Sequence, residues 1–314
     1  MNKLFLICGV LALVGCTKAD SGDDGNGSDQ YVDGFNPPPV ADGYTRYITA
    51  PMEMQPGEDK IFCQWLQVPA TDDVDVVGIG GYQTVTGHHV VLYSTSETQP
   101  VGENHECTTD DMVSVNYLGG LGQEGGSSTV LPNGYVFRQQ KGRSLMANVH
   151  YLNATDSVQK VQSVIDLKLA PPSPDLKPAG MAVINYLDFT IPASTPSYTT
   201  DAYCTWPQDT SLMMWSNHEH EYGTSVYSEV IHTDGTKDML VADTQWRAEE
   251  AFNPEWAMWD AAPRLIKAGE TMHVSCTWNN TRTTPITFPD EMCDAVGFYQ
   301  ESGQQIVCDG QPRQ

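Results

Sequence analysis

The chain's 314 residues, 40% hydrophobic and 18% charged, can bury one large domain or two modest ones. That mixture excludes a disordered chain, a fibre and a polytopic membrane protein. Against 40 Asp and Glu stand 16 Lys and Arg, a formal charge of −24 that repels phosphate backbones and makes nucleic acid a poor partner.

At the N-terminus, Lys3 precedes an apolar run over 4–14, too short to span a bilayer but suited to a signal-peptide core. The run closes on Leu13-Val14-Gly15-Cys16, which resembles the bacterial lipobox. The resemblance implies a signal peptide over 1–16 and a lipid on the Cys16 thiol. Thr17 follows the Cys, which by analogy with enterobacterial sorting implies the outer membrane of a bacterial envelope, facing the periplasm or the surface. Residues 17–42, rich in Asp, Gly and Ser and containing Pro37-Pro38-Pro39, read as a flexible linker to that membrane anchor.

Beyond the linker, β-rich runs follow one another at 74–79, 85–94, 144–152, 161–169, 181–191, 212–231, 239–246 and 270–278. Turn signals such as Pro132-Asn133-Gly134 and Asp234-Gly235 divide them, and no long stretch keeps a helical apolar period. Pro171-Pro172-Ser173-Pro174 is the best internal boundary. The reading is all-β: two consecutive antiparallel β-sandwich domains, over 43–172 and 173–314.

Of eight cysteines, Cys8 lies in the signal and Cys16 would carry the lipid, leaving Cys63, Cys107, Cys204, Cys276, Cys293 and Cys308. An even number in an exported chain argues for three disulfides. None forms a C-x-x-C pair, which argues against zinc ribbons and thioredoxin-like redox sites. Six cysteines allow about fifteen pairings. Two precede residue 170 and four follow it, so two domains would divide the bonds one plus two.

Five of the eight histidines sit in suggestive places. His218 and His220 form His-x-His, and side chains at i and i+2 of a strand share a face, so the pair can hold one ion. His88 and His89 are adjacent and in a regular strand point to opposite faces. Both reach one metal only if the strand begins, bulges or twists there, which the preceding Gly87 allows. His150 follows Asn148-Val149 in a third run. Imidazole suits copper, zinc and iron alike, so these residues by themselves name no metal. Met213, Trp215, Asn217 and Glu219 fall on the face opposite the His-x-His pair and are expected to pack inside. His105, His232 and His273 read as surface or core histidines.

Taken in order, Phe62-Cys63, His88-His89, Asn148-Val149-His150-Tyr151, Ala179-Gly180-Met181, His218-Glu219-His220 and Asp290-Glu291-Met292-Cys293 resemble the copper type II, ascorbate-dependent monooxygenases, over roughly residues 43–308. The resemblance implies two jelly-roll sandwiches with one copper in each. His88, His89 and His150 would hold the first copper. His218, His220 and the thioether of Met292 would hold the second, where O2 is activated. Three imidazoles suit a copper that stores and passes an electron, and a soft thioether favours Cu(I). The resemblance also implies the disulfides Cys63–Cys107, Cys204–Cys308 and Cys276–Cys293. The implied activity is hydroxylation of a C–H bond of a small-molecule substrate by a monomeric enzyme, using O2 and an external reductant such as ascorbate. The alternative is a copper-binding envelope lipoprotein without turnover, serving storage or delivery. A metal-free double jelly roll acting on glycans or a surface partner is a third reading, opposed by the presence of all six ligands.

Two departures bear on substrate. In the family's peptide-hydroxylating branch an Arg two residues before His-x-His helps hold the substrate carboxylate; here Ser216 stands there. A Tyr four residues after the ligand Met is replaced by Val296. Both disfavour a glycine-extended peptide and favour a neutral or cationic small molecule, with Arg247 and Arg264 the nearest candidates to replace the lost charge.

Overall fold

Period-two alternation dominates the computed structural model, which describes residues 30–67, 69–108, 110–112, 114–121, 131–251, 255–259, 262–288, 290–300 and 305–310. The expected signal peptide, Cys16 and the first part of the linker lie outside the described residues. In chain order the strands are β1 (Thr45–Ile48), β2 (Met52–Met54), β3 (Asp59–Gln67), β4 (Val74–Gln83), β5 (Gly87–Thr95), β6 (Asn104–Glu106), β7 (Val115–Leu121), β8 (Tyr135–Gln139), β9 (Ser144–Leu152), β10 (Gln159–Val161) and β11 (Ser163–Ala170). They continue with β12 (Lys177–Pro178), β13 (Gly180–Tyr186), β14 (Thr195–Thr205), β15 (Thr210–His218), β16 (Gly223–Ile231), β17 (Lys237–Asp243), β18 (Ala257–Met258), β19 (Arg264–Ile266), β20 (Thr271–Asn280), β21 (Cys293–Tyr299) and β22 (Gln305–Asp309). The described residues contain no α-helix, and none of their elements is a helix long and apolar enough to cross a membrane.

The fold is all-β, as the sequence suggests. One sandwich sets the sheet β1-β11-β4-β8-β12 against β6-β3-β9-β5-β7. Along β9, Leu145, Ala147, Val149 and Tyr151 enter the core between these sheets, where they meet Val76, Ile165 and Leu167. The alternate residues Met146, Asn148 and His150 face the other way. The second sandwich sets β18-β15-β21-β13-β22, with β19 added beside β15, against β14-β20-β16-β17. Its core holds Trp215, Trp278, Val226, Val274 and Ala295. The two parts share apolar packing. Met214 and Phe298, on the face of their sheet opposite Trp215, belong to the first core, where Phe298 meets Phe137 at 5.2 Å and Tyr117 at 5.3 Å. Burying an aromatic ring of that size stabilises by about 1.5–3 kcal/mol, so this contact holds the two sheets in register.

The three disulfides Cys63–Cys107, Cys204–Cys308 and Cys276–Cys293 form as the family resemblance implied. Elsewhere the structure refines the reading. The run over 212–231 is two strands, because the chain turns between His218 and Gly223. The short β12 lies beyond the proline-rich boundary yet pairs with β8, so the first sheet extends to Pro178. The linker also docks before residue 42: Phe35 is buried, the Val32 amide donates to Gln162, and Arg46 donates to the Tyr31 hydroxyl.

Candidate metal centre

The three-histidine cluster grows out of a bulge. In the pairing of β5 with β9, His89 stands opposite His150 and Gly87 opposite Tyr151, with a register shift between them. His88 is therefore the extra residue, free of the face alternation that would send it away from His89. The bulge needs glycine, since a Cβ on Gly87 would lie 2.2 Å from Cβ of Gln83. Gln83 in turn donates to the carbonyls of His89 and His150, tying the bulge to the neighbouring strand.

The three rings converge, with centroids 4.4 Å (His88–His150), 4.9 Å (His89–His150) and 5.1 Å (His88–His89) apart. Each offers a ligand atom, and these atoms lie within 4.8 Å of one another. The Nδ1 atoms of His88 and His89 are 3.0 Å apart. Two nitrogens bound to one ion at ~2.0 Å stand ~2.8–3.4 Å apart, so this spacing suits a shared metal. His150 Nε2–H donates to the Asp59 carboxylate, which fixes its proton and leaves a lone pair on Nδ1. That Nδ1 is buried and has no hydrogen-bond partner. An orphaned acceptor beside two other imidazoles fits a cation better than it fits a closed core.

The second set is assembled differently. His218 ends β15 opposite Asp294, and His220 lies past the strand end in the turn, with its ring 5.0 Å from that of His218. Met292 directly precedes β21, and the two residues before it, Asp290 and Glu291, both hydrogen-bond to His220. Glu291, next to Met292, straps the turn down. Its carboxylate accepts from the amides of His220 (2.9 Å) and Tyr222 (2.6 Å) and from Trp278 Nε1 (2.9 Å). His220 Nδ1–H donates to the Asp290 carbonyl at 3.2 Å, which fixes the orientation of its ring. Arg282 closes the strap, donating to the Tyr222 hydroxyl and to the Asp290 carboxylate. Behind Met292, Cys293 is fixed to Cys276.

Burial keeps His88, His89 and His218 neutral, as metal ligation requires. Burial first, then His150, brings His88 down to about 4, and burial holds His89 well below its ordinary value. Burial, His220 and His88 bring His218 to about 3, so the two sets lie within electrostatic reach of each other. The hydrogen bond from His150 lowers Asp59. Burial pushes Glu291 up to about 7 and Asp294 up to about 8.

Glu219 points away from the histidines, fully buried against Gly223 and Trp246; a Cβ on Gly223 would lie 2.5 Å from its Oε2. Trp215 and Asn217 enter the second core side as expected, whereas a bulge between Leu212 and Met214 sends Met213 to the first core. Ser216 is buried and its hydroxyl donates to the Glu255 carbonyl at 2.8 Å. Arg247 pairs with Glu250, and Arg264 stacks over Trp259, so neither replaces an anchoring Arg beside His218. His105 pairs with Asp111, His232 with Glu270 and Asp238, and His273 with Glu229 and Asp201. The sequence reading missed Asp59, Glu291 and Arg282, which orient the candidate ligands; only their tertiary hydrogen bonds reveal them.

Residues 177–313 match the family model of the copper type II ascorbate-dependent monooxygenase C-terminal domain. No curated protein matches the chain. Among solved structures, peptide:N-glycanase F is similar at 11% identity, covering 84% of this chain and 97% of that one with a TM-score of 0.36. A secreted-protein structure from Parabacteroides distasonis is similar at 9% identity, covering 84% and 91%, with a TM-score of 0.19.

Proposed function

We propose, from the match of residues 177–313 to the C-terminal domain model of the copper type II, ascorbate-dependent monooxygenases, that the protein is a two-copper monooxygenase hydroxylating a C–H bond of a small molecule. His88, His89 and His150 would hold one copper; His218, His220 and Met292 would hold the other. Bound copper supplies one-electron chemistry and, as Cu(I), a partner for O2. The overall reaction takes the C–H substrate, O2, two electrons and two protons to an alcohol and water, with an ascorbate-type donor supplying the electrons. Asp59 holds the His150 ring by Nε2, so Nδ1 would be the atom offered to a copper, and the Asp290 carbonyl holds His220 by Nδ1, so Nε2 would be. The Glu291 strap keeps Met292 near the His-x-His turn. Because Ser216 already donates to Glu255, that position offers no cationic anchor, and a carboxyl-terminal glycine peptide would be a poor substrate.

The observation that carries this reading is the convergence of His88, His89 and His150 on an orphaned nitrogen, in a chain whose other part matches the family. The test is elemental analysis with X-ray absorption on the reduced, copper-loaded protein. The reading expects two coppers per chain and a Cu–S contribution lost in Met292→Ile. Copper bound at that level without O2 consumption in the presence of ascorbate would favour storage or delivery instead. The envelope tether belongs to the same proposal: palmitate should label the wild type, and label surviving Cys16→Ala would contradict it.

A further inference from the structure

Arg46 pairs with Asp166, Arg138 with Asp75, Arg247 with Glu250 and Arg282 with Asp290, while Arg264 lies over the Trp259 ring. Arg143, in the turn between β8 and β9, pairs with no carboxylate among the described residues, although acids outnumber bases 40 to 16. Its guanidinium is half-buried and meets only neutral oxygens. Nε donates to the Ser94 hydroxyl at 3.2 Å, and Nη2 donates to the carbonyls of Ser94 and Ser114. Nη1 keeps its two N–H groups without a partner among the described residues. Burial lowers the Arg143 pKa, whereas Asp166 and Asp75 raise those of Arg46 and Arg138. A half-buried charge with no counter-charge in the protein is stabilised by an anion taken from solvent.

Arg143 opens onto a recess of about 370 Å³ at the seam of the two sandwiches. Asn116 and Gln140 line it from the first sandwich, and Gln305 and Val307 of β22 line it from the second. The side-chain amides of Asn116 and Gln140 bond to no other described residue, so both are able to donate into the recess. Gln305 needs the opposite, because its Oε1 is buried without a donor. The recess lies about 20 Å along β9 from His150, apart from both histidine sets. A planar fork flanked by amide donors suits a carboxylate. The chain's charge of −24 penalises a dianion more than a monoanion. The orphaned Gln305 oxygen asks for a hydroxyl on the same molecule.

We propose that this recess binds a small monoanionic hydroxy acid, its carboxylate held by Arg143 Nη1 with Asn116 and Gln140, and its hydroxyl donating to Gln305. Such a ligand touches both sandwiches, so it stabilises their contact by mass action. The binding needs no copper.

The test titrates the full, metal-free chain with lactate, acetate, sulfate and the neutral propane-1,2-diol, followed by calorimetry and by the shift in unfolding temperature. Lactate should bind ~3–10-fold tighter than acetate, the worth of one neutral hydrogen bond, and the diol should not bind measurably. Sulfate should bind more weakly than lactate. Asn116→Asp sets a carboxylate beside Arg143 at a side chain that gives up no hydrogen bond. It should weaken lactate ~10–100-fold, the loss of a charge-assisted contact, while the protein unfolds no earlier than wild type. Arg143→Lys keeps the charge but loses the fork and should also weaken lactate; if that variant does not fold, Asn116→Asp still decides. An Arg143 that serves only to clamp the Ser94 and Ser114 carbonyls gives no lactate binding in the wild type, which overturns the inference. Lactate affinity surviving Asn116→Asp overturns it too, as does equal binding of lactate and the diol. Acetate or sulfate binding as tightly as lactate marks an unselective anion site and overturns the hydroxy-acid assignment.

Discussion

The two histidine sets differ in what holds them. His89 and His150 face each other across paired strands and His88 joins them through a bulge, so the sheet ladder itself assembles the first set. In the second, His218 is the last strand residue, His220 is in a turn, and Met292 lies on a separate loop before β21. There the geometry depends on side chains: Glu291, Asp290 and Arg282. A site built on backbone pairing tolerates loss of a neighbouring side chain better than one built on a strap. With Met292 as the proposed third ligand, the strapped site would also be the one with a thioether, suited to a metal that changes oxidation state.

Mutations can break that contrast. The largest effect is expected from His150→Ala, which should remove copper from the first site only and abolish turnover, as read by copper content and ascorbate-dependent O2 uptake. Next, Glu291→Ala leaves three buried or half-buried donors unpaired and should destabilise the protein by about 3 kcal/mol in urea unfolding. Its copper loss should be confined to the second site; equal loss from both would show that the strap does not set them apart. Asp59→Asn should weaken copper at the first site by ~10–100-fold while the fold stays intact, measured by competition with a chromophoric chelator.

Much of the first site was legible in the sequence because Gly87-His88-His89 announces an irregular strand, and irregularity there is what unites two adjacent rings. The His-x-His reading was right about Glu219 facing inward but assumed a continuous strand, where the Glu291 strap imposes a turn. Strands β14 and β21 escaped notice for different reasons. In β14 the alternation is carried by Thr, Tyr and Ala rather than strong hydrophobes, and β21 is buried on both faces, so it lacks alternation. Asp59 could not be found from sequence, since its meaning lies in the His150 ring that reaches it diagonally across the β3–β9 ladder.

The smallest predicted effect is a control remote from both sites. The hydrogen bond to Glu270 raises the pKa of His232. Burial works to raise Glu270, but hydrogen bonds from the Lys267 amide and His232 outweigh it and leave the carboxyl lowered. The His232 contribution is present below its unfolded pKa and fades as pH rises through its raised value. The Glu270 contribution fades as pH falls through its lowered value. The pair therefore stabilises between those limits, and His232→Ala should cost less than ~1 kcal/mol within that window, measured by unfolding across pH, with copper content unchanged at both sites.

The central claim is that the paired sites insert oxygen. The most direct measurement is mass spectrometry of the product formed from phenethylamine by copper-loaded protein, with ascorbate and isotopically labelled dioxygen. The account predicts an alcohol carrying one labelled oxygen atom, absent in His150→Ala and in Met292→Ile. Two coppers per chain with no labelled product, across amine and neutral substrates alike, would contradict it.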